Sequence, residues 1–442
     1  MGRMRVLLAG ALTALAVIAS GCGSSPAGTA NGATLAGDAA KLVPASAVAF
    51  ASVDSDLGST QWQRVGALAK TFTNGKSLVD IIDAKLQSKG LSWQDDVVPA
   101  LGSEVDIAVL SAKPEPDVVA LTHPNDMAKL NALVAKLGKG YSVQQIAGWS
   151  VVGESQDAFS ALRAAQSGRS LADTSTFQAA WSSLSGDLLA QVYVNPPSSG
   201  AKGTHADWIA ADVRADSDAL RIDAVVKPTS ARSAPAGASL LGDVPSGASL
   251  AISFRGGADL EAKLSSLQPP KELGTSLPLK RLAPLLAGGG VAYARANGLV
   301  PDIAIELAPK DVQSALATAR SLLKSLGTKL GPLQLTTQVA NGKLVIADSP
   351  AAAAALQRGS KLVDDPAFKD ALSKAGVPGQ TTFLAYADVP QLAPFVPVVV
   401  QAVTGNAPPA QLATTLSHLG TVLAWAARSS GRIELHAWVE TR

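Results

Sequence analysis

Along the body of this chain, short apolar runs alternate with stretches in which apolar residues recur at helical spacing. Residues 47–53 form a brief apolar run after a proline, as a buried strand would. Residues 61–70 and 78–87 show helical spacing, and 105–110 and 118–121 return to strand-like runs. Pro124, Asn125 and Asp126 open a helix through Leu130, Leu133 and Leu137, which Gly138 stops. Strands around Val143 and Val151, helices over 157–165 and 175–184, and strands over 188–194, 209–215 and 220–226 follow. Asp216-Ser217-Asp218 makes a hairpin turn between the last two.

The same pattern then recurs. Val43-Pro44 and its strand return as Val244-Pro245, and Asp117-Val118-Val119-Ala120-Leu121 returns as Asp302-Ile303-Ala304-Ile305-Glu306. Gly148 to Ser155 matches Gly342 to Ser349, and Leu171-Ala172-Asp173 with Phe177 matches Leu362-Val363-Asp364 with Phe368. Val192-Tyr193-Val194-Asn195 matches Ala385-Tyr386-Ala387-Asp388, and Leu220 to Val226 matches Ile433 to Val439. Blocks repeated in one order predict a duplication. Asp311 opens a helix through Leu316, Ala319, Leu323 and Leu326, the counterpart of the one opened by Asp126. The expected fold class is α+β, in two tandem homologous units. Each is a mostly antiparallel sheet covered by helices, on one face. The expected divisions are a leader over 1–21, a flexible tether over 22–40, and units over 41–230 and 243–442. The Pro- and Ser-containing stretch 227–243 forms the seam.

Composition narrows the function. The 442 residues are 47% hydrophobic and 16% charged, which excludes a disordered chain. A net charge of +2, from 37 basic and 35 acidic residues, excludes a strongly basic nucleic-acid binder. One cysteine excludes an intrachain disulfide framework and a multi-thiolate zinc site.

That cysteine is also the most informative residue. Arg3 and Arg5 precede an apolar stretch over 6–20, then Ala19-Ser20-Gly21-Cys22. The charged start, apolar core and small-residue site are those of an export signal. A cysteine directly after the small residues resembles the bacterial lipoprotein box, whose thiol is acylated. Cys22 is therefore the expected lipidation site, with palmitate-type chains. The protein is expected on the extracytoplasmic face of the bacterial cell membrane, because multiple acyl chains anchor firmly.

Three features resemble the domain-of-unknown-function 3352 family. They are the Val43-Pro44 strand opening, the segment from Trp93-Gln94-Asp95-Asp96 through Pro99 to Gly102, and Leu171-Ala172-Asp173 with Phe177. Pro284 to Gly288 keeps the Pro-to-Gly turn but lacks the preceding Trp and Asp pair. The resemblance implies a bacterial envelope protein of the same architecture and supplies no activity.

Other motifs read as structure. Asn74-Gly75-Lys76-Ser77 lacks the earlier glycine of a phosphate loop, where Lys70 stands instead, and Ser77 reads as a helix cap. Ser321-Leu322-Leu323-Lys324 has the SxxK spacing of penicillin-recognising enzymes without the companion motifs, which favours a solvated helix face. Asp54-Ser55-Asp56-Leu57-Gly58 lacks the closing ligand of a calcium loop and reads as a strand end followed by a helix start. Asp95-Asp96 and Asp364-Asp365 read as charges at helix starts. His123, His205, His418 and His436 share no metal-ligand spacing. The apolar run 395–400, punctuated by prolines, reads as a buried segment. No catalytic, metal or cofactor residue is expected.

The sequence thus points to a lipid-anchored, non-enzymatic envelope protein that binds a partner or is structural. Its expected partners are the membrane, through the anchor, and an undefined protein or hydrophobic ligand; nucleic acid is not among them. The alternative is a carrier or sensor of a hydrophobic or lipid ligand, motivated by high aliphatic and low aromatic content.

Overall fold

The computed structural model describes residues 35, 37–72, 77–87, 90–112, 115–138, 140–184, 186–199, 205–230, 239–257, 279–297, 301–326, 335–397, 401 and 411–442. The leader, Cys22, most of the tether, residues 74–76 and residues 398–400 lie outside them. Contacts divide the chain into two compact units, Met1–Ser230 with Ser429–Thr441, and Ala231–Arg428 with Arg442.

In the first unit the strands are β1 (Ala49–Asp54), β2 (Glu104–Ser111), β3 (Asp117–Thr122), β4 (Ser142–Ile146), β5 (Trp149–Gly153), β6 (Ala190–Val194), β7 (Ala206–Ala215) and β8 (Ala219–Pro228). They lie in the order β4-β5-β3-β2-β1-β6-β7-β8, every neighbour antiparallel. The C-terminal strand Arg432–Thr441 adds to β8, with Glu440 opposite Ala219. Lys227 and Pro228, at the expected seam, still belong to β8 and pair with Trp208 and Ala206. Nor do residues 38–40 behave as tether. They open the 3-10 turn Asp38–Lys41, and Ala39 and Ala40 are fully buried.

Helices cover both faces of this sheet, not one. Successive residues of a strand point to opposite faces. Val119, Leu121 and Val151 pack with Phe159 and Leu162 of the helix Gln156–Ser167 and Phe177 of the helix Ser175–Trp181. Their neighbours Ala120 and Val152 pack instead with Leu130 and Val134 of the helix Met127–Leu137. β3 and β5 are consecutively apolar because both their sides are covered. Helix starts follow the sequence. Asp126 accepts from the N–H of Ala128 at 2.8 Å and of Lys129 at 3.1 Å, and Ser155 accepts from Ala158 N–H at 2.9 Å.

Phe50 anchors the larger core, with Phe177 and Trp181 at centroid distances of 5.8 and 5.4 Å. Phe177 meets Tyr193 edge-on at 5.2 Å. Before β1, Leu171 donates its N–H to Val43 at 2.7 Å, and Pro44 bridges Ser170. The β4–β5 turn places Ala147 and Gly148 at φ 49° and 88°, the signature of a tight hairpin.

In the second unit the strands are β9 (Ala248–Phe254), β10 (Gly290–Arg295), β11 (Asp302–Leu307), β12 (Thr336–Ala340), β13 (Lys343–Ala347), β14 (Phe383–Asp388) and β15 (Leu419–Ser429). Their order is β12-β13-β11-β10-β9-β14-β15, again antiparallel throughout. The helix Val312–Leu326 packs through Ala315, Ala319 and Leu322 on Leu307 and Leu344. Leu323, expected on its apolar stripe, is only half-buried. The opposite face carries Phe368 of the helix Pro366–Ala375, edge-on to Tyr386 at 4.9 Å. Leu362 donates its N–H to Val244 at 2.8 Å, Pro245 bridges Lys361, and the β12–β13 turn places Asn341 and Gly342 at φ 52° and 73°.

Candidate functional site

Several residues singled out in the sequence have structural work. Asp54 ends β1, accepting from the Asp56 N–H at 2.9 Å and from the Ser59 hydroxyl at 2.5 Å. Asp56 in turn accepts from Gly58 N–H at 2.8 Å. These bonds build the turn into the helix Thr60–Phe72. Asp95 and Asp96 lie in the π-helical turn Trp93–Val97, where Asp96 accepts from Ser92 N–H at 2.9 Å and Asp95 donates its N–H to the Ser92 hydroxyl at 3.2 Å. Asp365 caps its helix through Ala367 N–H at 2.9 Å. Ser77 accepts from Asp80 N–H at 3.1 Å, the cap expected of it. Ser321 and Lys324 are both exposed on their helix. His123 lies against Trp149 with ring centroids 4.0 Å apart. His436 is buried, and burial pushes its imidazole down to about 3, so it is neutral at physiological pH. Among the described residues no group of three or more His, Cys, Asp or Glu is arranged to hold a metal ion.

The structure assembles a constellation that the sequence did not disclose. In the first unit Asp106 on β2 faces Ser52 on β1, Ser52 faces Gln191 on β6, Gln191 faces Asp212 on β7, and Asp212 faces Asp223 on β8. Residues opposite one another on adjacent strands share a face, so this is one polar row on the face that carries Phe50 and Tyr193. Every member is at most 4% exposed. The signal lay in single acids at inward positions of otherwise apolar strands, as in Val105-Asp106-Ile107 and Ile222-Asp223-Ala224.

The row is unevenly satisfied. Gln191 donates to the Trp181 carbonyl at 2.9 Å, and Arg214 donates to Asp223 at 2.6 Å. Ser52 donates its hydroxyl to Glu104, which also accepts Gly37 N–H at 3.2 Å. Among the described residues neither oxygen of Asp106 has a hydrogen-bond partner. Burial, reinforced by the nearby Glu104 charge, pushes Asp106 up to about 8. Burial and the Asp223 charge likewise hold Asp212 well above the carboxylate range, against the pull of Arg214. At neutral pH the row keeps protons that exposed carboxyls would release.

The in-register row of the second unit reads Glu306, Val291, Ser253, Leu384 and Trp425. Its one acid, Glu306, is fully buried and meets Lys343 at 3.3 Å, while Lys343 also bonds Asp243 at 2.6 Å. Gln357 donates to Glu306 at 3.3 Å. Burial raises Glu306 above its ordinary value despite the Lys343 charge.

Over residues 4–166 the chain matches the family described as "Protein of unknown function (DUF3352)", which supports the resemblance over that stretch. No curated protein matches the sequence. Two solved structures are similar to part of it. "Structure of crystal form I of TP0453" is 9% identical, with 45% of this chain and 81% of that one covered and a TM-score of 0.25. "Structure of crystal form III of TP0453" is 10% identical, with 44% and 81% covered and a TM-score of 0.24. Among the described residues no helix is long and apolar enough to cross a membrane.

Proposed function

We propose that this chain is a lipoprotein on the extracytoplasmic face of a bacterial membrane, held there by acyl chains on Cys22, with a non-enzymatic binding or structural body. The observation that carries the reading is the position of the single cysteine, directly after a charged, apolar and small-residue leader. The body is two homologous copies of one α+β unit. Supporting this are the corresponding strand orders, the Pro44–Ser170 and Pro245–Lys361 bridges, the Phe177–Tyr193 and Phe368–Tyr386 ring pairs, and the paired hairpin turns. A non-enzymatic role is supported by the capping work of the surface acids and by the closure of the acid row from solvent.

The test is Cys22→Ser in the cell of origin, with palmitate labelling and membrane fractionation. Loss of label together with release or failed maturation is expected. Unchanged labelling and attachment would overturn the anchor.

A further inference from the structure

The acid row is covered in part by the chain's own N-terminal segment. Residues 37–42 run through the 3-10 turn Asp38–Lys41, and Ala39, Ala40 and Leu42 pack into the core around Phe50. Gly37 lies against the Trp181 indole at φ 59°, where a Cβ would come within 2.8 Å of the ring. Its N–H donates to Glu104 at 3.2 Å, the same carboxylate that accepts the Ser52 hydroxyl. The turn's own bonds are internal, from Ala40 N–H to Gly37 at 3.0 Å and from Leu42 N–H to Ala39 at 2.9 Å. Downstream the segment meets a fixed point, since Val43 accepts from Leu171 N–H and Pro44 bridges Ser170. It is a strap, pinned at Val43 and fastened to the sheet through Gly37 and Glu104.

Glu104 and Asp106 stand two residues apart on β2, so they share a face and lie about 7 Å apart along the strand. Asp106 is fully buried, and among the described residues its oxygens accept no hydrogen bond. Once ionised, it is an uncompensated charge beside Glu104. The groups around it do not neutralise that charge. The strap brings Asp38, paired with its own Lys41 at 2.6 Å, and β1 brings Asp54 opposite Glu104. β7 and β8 bring Asp212 and Asp223, and Arg214 is committed to Asp223 at 2.6 Å. The helix Ser175–Trp181 carries no charged residue. The second unit fastens the turn before its own Val-Pro pair differently. There Lys343 joins Asp243 of the turn Leu241–Asp243 to Glu306, at 2.6 and 3.3 Å. That turn is locked by a cation, whereas the strap of the first unit rests on acids.

We propose that residues 37–42 are a proton-controlled latch, closed over the row while Asp106 is protonated and released when it ionises. The new carboxylate needs water, and Glu104 and Asp38 repel it. Lifting the strap answers both demands, whereas the strands beneath are held by their ladders to neighbours on each side. Where Cys22 carries lipid, as proposed above, release lengthens the tether by up to ~20 Å. The latch itself does not depend on that reading.

The test is hydrogen exchange, read by mass spectrometry, on the full chain in detergent. It is run at about pH 6.5 and pH 9, on either side of the Asp106 value of about 8. Each amide's rate is divided by its intrinsic rate at that pH, which leaves the protection due to structure. Protection of residues 37–42 should fall about tenfold at the higher pH, while β6, β7 and residues 241–244 keep theirs. Asp106→Asn cannot ionise and should hold the strap closed at both values. Glu104→Gln keeps an oxygen for the Gly37 N–H, removes the repelling charge, and should reduce the loss. Unchanged strap protection in the parent would overturn the latch, as would a loss in either variant as large as the parent's. A loss shared by β6 and β7 would overturn it too, by showing general unfolding instead. The readout is the strap alone, whether or not Cys22 carries lipid.

Discussion

A Cβ placed on Gly102 would lie 2.1 Å from the carbonyl oxygen of His123. The turn after Pro99 thus presses backbone against backbone, and only glycine allows the approach. The second unit repeats the arrangement more tightly, with 1.6 Å between a Cβ on Gly288 and the Ala308 carbonyl oxygen. Gly102→Ala and Gly288→Ala should each destabilise by at least ~2 kcal/mol in urea unfolding, because the obstructing atoms are main chain. Gly66→Ala is the counter-case. Gly66 sits inside the helix Thr60–Phe72 with nothing within 4 Å of the added methyl, so a gain of roughly 0.5–1 kcal/mol is expected.

The acid row makes stability fall as pH rises. Asp106 titrates at about 8 in the folded chain and near ~3.9 when unfolded, so folding takes up a proton between those values. Its contribution is fully present below the unfolded value and is lost progressively as pH rises through the folded one. Asp106→Asn should flatten the stability profile between about pH 4 and pH 8, with the variant gaining most over the parent above pH 8. The gain is on the order of a few kcal/mol. Urea unfolding at pH 5, 7 and 9 measures it, and parallel profiles for the two proteins would contradict the assignment.

Elements with strong local signals were legible in the sequence. The helix Leu78–Gln87 and the Asp126 cap come directly from periodicity and capping chemistry. That the helix Met127–Leu137 covers the second face was not legible, because tandem apolar residues such as Val118 to Leu121 do not reveal which elements cover each side. The acid row was hidden for a related reason. One Asp per strand carries no spacing signal, and only cross-strand register brings the five residues together. The turn Trp93–Val97 was recognised as a motif, but its π-helical backbone has no periodic signature.

The two ring pairs offer a test of the division into units. Phe177 and Phe368 are each at most 5% exposed and each meets a tyrosine edge-on. Phe177→Ala and Phe368→Ala should each cost roughly 3–5 kcal/mol locally. If the units unfold separately, calorimetry will show one transition moving in each variant and the other staying in place. A single transition shifted by both would mean that they unfold together.

Lys343 is the cation that faces the buried Glu306 of the second unit. Its ammonium group lies 2.6 Å from Asp243 and 3.3 Å from Glu306, and Glu306 has no exposure to solvent. Burial lowers the Lys343 pKa, but the Asp243 bond and the Glu306 charge raise it further, so the net shift is upward. Removing the lysine leaves a carboxylate in an apolar setting, with one oxygen already lacking a hydrogen bond among the described residues. Lys343→Met should therefore destabilise by about 3–5 kcal/mol, and Glu306 should respond by holding its proton to higher pH. Glu306→Gln alone removes the charge while keeping a group for Gln357 to bond, so its effect should be smaller. Combined, the two substitutions should recover most of the loss, because no uncompensated charge remains. A double-mutant cycle by urea unfolding at neutral pH measures that coupling, and strictly additive losses would show that Lys343 stabilises through packing or Asp243 instead.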